Sequence, residues 1–452
     1  MQGRRGMSRP RVGVVALAYP GYHLGEEMCA AKLAQALAML RDRPVAITAV
    51  ARPVLDEAGA RQAGVELAQA EVDCILAVIT TFVPDYFIAE LLERCPVPVF
   101  LWTVERELQC IALVCGPLIT ATLYNLGRRY HLAARDLRDA NTLGDLEVFA
   151  RAAMLGRVLR TMRVGYCGGK CPIMLSLAAD EYALKRWLGT TVVTLPIEEF
   201  YDLAANVTAG EAAAAWRDIK AAVGGVTALE ADGLQSTRYY LAARRLAERH
   251  GLDALSLNCF PHLKSRICLS VAKLNDDGIA AACEGDLHAT ILMCALARLS
   301  GRTAFNGDWL RMYPETNEVL FSHCGAGAFS LAASPGEVCL RCSIETNDGL
   351  AVCYATQARG PVTLANLMLG NGDLRLAALC GESVPTDTEY EGTPLRVRFR
   401  DPVKQILQRL ARCGAGHHWN GGFGEFMKEL ELLCTWRGVK FSRLDCENER
   451  TS

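Results

Sequence analysis

The first third of the chain constrains the fold most, because short apolar runs alternate there with segments of helical periodicity. "RVGVVALAY", "PVAITAV", "VDCILAVI" and "VPVFLWT" are apolar on both faces, and between them lie "EEMCAAKLAQALAML", "EAGARQAGVELAQ" and "FIAELLERC". A strand buried on both faces needs helices above and below, so this order predicts a doubly wound parallel sheet. The charged stretch "RRYHLAARDLRDANTLGDLEVFARAAMLGRVLRT" reads as helical and closes that unit.

A second α/β series opens at "RVGYCGGK", with strands "TVVTLPI" and "ALSLNCF" and helices "EAAAAWRDIKAAV" and "TRYYLAARRLAERHG". After about residue 300 the texture becomes strands and turns, as in "NEVLFSHCG", "EVCLRCSIE", "LAVCYATQARGPVTLANLMLGNGDLRLAALCGE" and "PLRVRFR", ending with a helix at "FGEFMKELELLCTWRG". The predicted fold class is α/β: two doubly wound Rossmann-like α/β domains followed by a C-terminal antiparallel β-barrel-like domain. The expected boundaries are 1–160, 161–300 and 301–452, which suits 452 residues at about 150 per domain.

An apolar fraction of 51%, a charged fraction of 22% and a net charge of −2 suit a soluble globular protein and disfavour a nucleic-acid partner. No run approaches the roughly 18 apolar residues of a membrane span. The start "MQGRRG" before Val12–Ala18 mimics a signal peptide, but the run is short and ends in Tyr-Pro-Gly, so it reads as a first strand, with Met7 as an alternative start. The 19 cysteines are odd in number and scattered through apolar runs such as "TILMCALA", which predicts small buried hydrophobes in a reducing cytoplasm. Cys339 and Cys342 form a CxxC with no second pair nearby, so structural zinc is not expected.

The segment "GYCGGKC" imitates a phosphate loop but fails as one. Val164 stands where the first glycine belongs, and Cys171 replaces the hydroxyl residue that would reach magnesium, leaving a tight turn after a strand.

Residues 281–308, "AACEGDLHATILMCALARLSGRTAFNGD", place Glu284 and Asp308 24 positions apart, each on a glycine-containing break. Singly, Glu284 and Asp286 are first-turn acids facing a helix dipole, and Asp308 is a turn residue. His323 in "LFSHCG" reads alone as a strand-end histidine, and His417 and His418 in "GAGHHWNGG" as loop residues. Together, carboxylates and imidazoles from separate elements are what a mixed oxygen and nitrogen site for a divalent metal needs. Manganese or cobalt is then favoured over calcium, magnesium is an alternative, and no thiol in these positions demands zinc.

The run "LNDDGIAAACEGDLHATILMCAL", with "FNGDW", "SHCG" and "GAGHHWNGGFGEFMKELELLCTWRGVKF", resembles the metal-site framework of the L-fucose isomerase and L-arabinose isomerase superfamily, most specifically from about residue 255 to 445. The resemblance implies a manganese ion held by Glu284, Asp308 and His418. His323 falls where the arabinose type supplies a further histidine, either as a ligand or behind the ligands. It further implies that Glu284 and Asp308 act as the acid and base of an aldose–ketose isomerisation through an enediolate. Trp309, Arg311, His417 and Trp419 flank these motifs as candidate substrate contacts.

The expected function is therefore a metal-dependent ketol isomerase of a free open-chain pentose, hexose or deoxy sugar. The resemblance also implies a homo-oligomer, trimer or hexamer, with shared active sites. The rivals are a sugar-binding or sensing protein without catalysis, and a metal-dependent hydrolase or lyase acting on a polyol acid.

Overall fold

The computed structural model describes residues 9–22, 24–103, 111–135, 139–388 and 391–445, so the basic start and Met7 lie outside the described residues. The described residues form two compact units: residues 9–157 with 428–436, and residues 158–427 with 437–445.

The first unit is built on a five-stranded parallel sheet of β1 (Arg11–Leu17), β2 (Ala46–Ala49), β3 (Cys74–Ile79), β4 (Val99–Thr103) and β5 (Tyr130–Ala134), in the order β2-β1-β3-β4-β5. All six residues of β3 and all five of β4 are buried, as the two-sided apolar runs require. Two differences from expectation appear. Tyr130–Ala134 is a strand although it opens the stretch read as helical, because its backbone completes the edge of β4 in parallel register. The last helix, Met427–Arg437, contributes residues 428–436 to this unit instead of closing the β-rich part. The Trp436 ring meets Phe149 at 5.0 Å, and Arg151 pairs with the buried Glu429 at 2.6 Å.

The second unit carries a four-stranded parallel sheet of β6 (Arg163–Cys167), β7 (Thr191–Leu195), β9 (Ala254–Leu257) and β10 (Ala280–Ala282), in the order β10-β9-β6-β7. The short β8 (Gly225–Val226) joins a small sheet with β13 (Cys339–Ser343) and β14 (Asp348–Cys353). The remaining strands are β11 (Phe305–Tyr313), β12 (Glu318–Ser322), β15 (Gly360–Gly370), β16 (Asp373–Val384), β17 (Leu395–Arg398), β18 (His418–Phe423) and β19 (Lys440–Arg443).

Six of these close on themselves. The order β15-β18-β11-β12-β17-β16 is antiparallel throughout, and β15 pairs with β16 over its whole length, so the ring has no open edge; β19 adds in parallel to part of β16. The β15–β16 hairpin turns at Asn371-Gly372, both at positive φ, which is the backbone a two-residue turn needs to match strand twist. Phe305, Phe321, Leu364, Leu379 and Val397, all without exposed surface, belong to the apolar cluster these strands share.

Candidate functional site

The site lies in the second unit, where the carboxyl ends of β10, β9 and β6 adjoin the strands β18, β11 and β12. In open α/β sheets the carboxyl edge is where ligands bind, since strands end there and loops are free to vary.

Glu284 stands directly after β10 in a turn it shares with Gly285, at φ 62° and 66° respectively. A left-handed backbone costs a residue with a side chain about 1–2 kcal/mol, so the turn needs support from its surroundings. The "GYCGGKC" turn supplies it. Cys171 N–H donates to the Glu284 carbonyl at 2.8 Å, and Asn258, just past β9, donates its side-chain amide to the carbonyls of Gly168 and Lys170 at 3.0 and 3.2 Å. The segment that fails as a phosphate loop thus clamps the turn that carries Glu284.

A Cβ on Gly285 would stand 2.0 Å from the Gly169 carbonyl oxygen and 2.7 Å from the Lys170 Cα. Gly285→Ala should therefore lower the melting temperature, the left-handed backbone alone costing about 1–2 kcal/mol. An unshifted thermal melt would show that the clamp yields freely.

Asp286 caps the helix Leu287–Ser300, its Oδ1 accepting from Ala289 N–H at 2.9 Å. That helix is buried on most of its circumference, including Ile291, Leu292 and Leu296, so its start is fixed within the core. The other oxygen of Asp286 lies 2.7 Å from His418 Nδ1. With Nδ1 held there, Nε2 is the ring nitrogen turned towards Glu284 Oε2, 3.4 Å away, and Asp308 Oδ1, 3.8 Å away.

Asp308 is in a strand, not in the turn that "FNGD" suggested. In β11 it is the register partner of His418 in β18 and of Ser322 in β12, because the ladder continues through the Asn-Gly-Asp run. His418, taken alone as a loop residue, is likewise the first residue of a strand. His323 follows β12, buried, with Nε2 3.1 Å from His418 Nε2 and Nδ1 3.0 Å from Cys324 Sγ.

The charges of this group reinforce one another. Burial pushes the Glu284 carboxyl up, but the imidazoles of His417 and His418, with Nε2 at 4.0 and 3.4 Å from Oε2, and the charge of His323 overcome it and hold the group well below the usual carboxylate range. Burial disfavours charge on His418, yet the Asp286 and Glu284 carboxylates raise it to about 9.

Two buried carboxylate oxygens, Glu284 Oε2 and Asp308 Oδ1, have no hydrogen-bond partner. One ligand atom each from Glu284, His323 and His418 lie within 4.8 Å of one another, as do those of Asp308, His417 and His418. Unsatisfied buried oxygens cost free energy unless something positive meets them, so this donor set could hold a metal cation.

These groups face an open cleft of about 690 Å³. Trp309, Arg311 and His417 line it. Trp419 contributes to the wall but is fully buried, its ring edge-on to Trp309 at 6.4 Å. The candidate ligands and substrate contacts expected from the sequence therefore lie together in the second unit. Sequence reasoning missed the roles of Asp286, Asn258 and Cys324. Asp286 carried a signal only for its capping role, since its partner His418 is 132 positions away.

No protein-family model matches the chain. It is similar to curated sulfoquinovose isomerases: 25% identical over 382 residues to that of Alkalicoccus urumqiensis, covering 80% of this chain and 84% of that one. The protein of the same name from Priestia aryabhattai is 24% identical over 373 residues, covering 80% and 83%, and that from Clostridium sp. (strain MSTE9) is 22% identical over 368 residues, covering 78% and 82%. Among solved structures, a periplasmic solute binding protein from Actinobacillus succinogenes with bound D-allose aligns with 65% of this chain and 92% of that one, at 11% identity and a TM-score of 0.19, which carries no argument.

Proposed function

We propose that the chain is a metal-dependent aldose–ketose isomerase of a free, open-chain sugar. The enzyme class follows the curated relatives, each named as an isomerase of a sugar. The observation that carries the metal dependence is the pair of unpartnered buried oxygens on Glu284 and Asp308, facing His418 Nε2.

In this reading Glu284, Asp308 and His418 hold the ion, and His323 joins them through Nε2. A divalent cation supplies Lewis-acid polarisation of the sugar oxygens beside the reacting carbons. The protein supplies the proton traffic. A carboxylate takes the proton from C2 of the aldose and returns it to C1, while the O2 hydroxyl proton ends on O1, so aldose and ketose balance without any external oxidant. Glu284, held anionic by its histidine neighbours, starts as a base, and Asp308 on the strand opposite completes the pair.

The first test is a panel of aldoses and ketoses with added manganese, in which absence of any interconversion removes the reading. Turnover in deuterated water separates it from a hydrolase: proton transfer through an enediolate puts solvent deuterium on the sugar or, with a shielded base, carries the C2 label to C1 with a primary isotope effect. Absence of both outcomes would leave the two carboxylates without a proton to move and overturn their assignment.

For the substrate, a sulfonated hexose like that named for the relatives stands first in the panel, beside L-fucose and L-arabinose. An anionic tail needs a cation, and Arg311 lines the cleft on the same strand as Asp308. Arg311→Ala should raise KM for a sulfonated sugar by about tenfold or more, the worth of a hydrogen bond to a charged group, with kcat little changed. An equal effect on an uncharged sugar would assign Arg311 to the wall and not to the tail.

The same reading makes the protein a cytoplasmic homo-oligomer with pockets completed across subunits. Light scattering that finds a fully active monomer removes that part alone. Among the described residues, no helix is long and apolar enough to cross a membrane.

A further inference from the structure

Behind the carboxylates and imidazoles stands a second group of ligand atoms of different character. Cys283 directly follows β10 and precedes the turn at Glu284, Cys324 follows His323 after β12, and Cys259 lies two residues past β9. The sulfurs of Cys283 and Cys324 and a ring nitrogen of His323 all lie within 4.8 Å of one another, and the sulfur of Cys259 is within 4.8 Å of that of Cys283. Nδ1 of His323 is 3.0 Å from Cys324 Sγ and 3.9 Å from Cys283 Sγ. Cys259 and Cys283 are 4% and 6% exposed, and none of these thiols is in a disulfide.

Cysteines that merely fill a core have no reason to bring two sulfurs and an imidazole nitrogen to one point, with a third sulfur beside one of them. Ligand atoms at about 2.3 Å from a tetrahedral zinc stand roughly 3.8 Å apart, so the observed spacing brackets the required one: His323 Nδ1 and Cys324 Sγ must part slightly, and His323 Nδ1 and Cys283 Sγ are already at that distance. Sulfur ligands select zinc and its soft relatives, whereas the oxygen-rich set on the other side of His323 suits manganese.

We propose that Cys283, Cys324 and His323 Nδ1 form a second metal site that takes a thiophilic ion such as zinc or cadmium in preference to manganese, with Cys259 at hand as a fourth ligand. The site goes beyond the isomerase reading and does not need it. Joined to that reading, it makes zinc an inhibitor, because the His323 ring serves both sites through opposite nitrogens and Glu284 is the next residue after Cys283.

The test uses cadmium chloride as the probe, titrated into the chelated full chain with and without manganese. A sulfur-to-cadmium charge-transfer band in the ultraviolet should rise to a stoichiometric end point and persist in excess manganese. Cys283→Ser/Cys324→Ser should lose it, with cadmium affinity down by about 10–100-fold or more, whereas Cys342→Ser, at an exposed position on β13, should keep it. No band, displacement by manganese, or a band that survives in the double variant overturns the site. Should that variant fail to fold, X-ray absorption at the cadmium edge of the unsubstituted chain decides: sulfur and nitrogen neighbours support the site, and a shell of oxygen alone overturns it. None of these readouts depends on sugar turnover, so loss of the isomerase reading would leave them standing.

Discussion

Asp308→Asn keeps the size of the side chain and one ligand oxygen but removes one member of the proposed acid–base pair, so isomerisation should fall by about 10²–10⁴-fold while the metal is still bound, more weakly. Glu284→Gln should lose both, because Glu284 is the buried carboxylate nearest His418 Nε2, at 3.4 Å, and a neutral amide cannot offset a divalent charge there. Elemental analysis and manganese calorimetry on the two variants, beside kcat, separate the outcomes. Retention of full activity by Asp308→Asn would assign the proton transfer elsewhere, and undiminished manganese in Glu284→Gln would take that residue out of the ligand set.

The second large effect is expected at Asp286, which does not itself line the cleft but stands behind His418, which does. It both caps a core helix and holds His418 Nδ1. Asn caps a helix about as well as Asp, so Asp286→Asn keeps the helix start while replacing the charged partner of the imidazole. Metal affinity should drop by about 10–100-fold, the usual cost of removing such a partner, with little change in melting temperature. Asp286→Ala should add about 1 kcal/mol of lost stability from the missing cap. Equal melting temperatures for the two variants would mean that the cap contributes nothing; unchanged manganese affinity in both would mean that His418 needs no orienting partner.

Much of the fold was legible because the chain states its buried surfaces openly. Runs such as "VDCILAVI" and "VPVFLWT" are apolar on both faces and became fully buried central strands. The strand Tyr130–Ala134 escaped because it lies at the sheet's edge, partly exposed, so its pattern merges with the charged helix that follows. "FNGDW" and "HHWNGG" were read as breaks for a related reason. Their glycines sit in barrel strands where side chains crowd the backbone: a Cβ on Gly307 would meet the Phe305 ring at 2.7 Å, and one on Gly421 would meet Leu364 at 3.3 Å.

The candidate ligands were legible as residue types, and their convergence was anticipated through family resemblance. The groups that orient them were not, since no local pattern joins Asp286 to His418 or Cys283 to Cys324. The role of "GYCGGKC" shows the same limit. Its turn chemistry was visible, but what the turn holds is a backbone over a hundred positions later.

The antiparallel ring gives this site a temporal property as well as a geometry. His323 and His418 are 95 positions apart, and Asp308 meets His418 only through the β11–β18 ladder, so the full ligand set cannot exist while that ladder is open. Glu284 and Asp286, by contrast, belong to the parallel sheet and a helix start that form from nearer contacts. Strong cation binding should therefore be a late event in refolding, and the growth of manganese affinity after dilution from denaturant becomes a clock for the moment the last barrel seam is sewn.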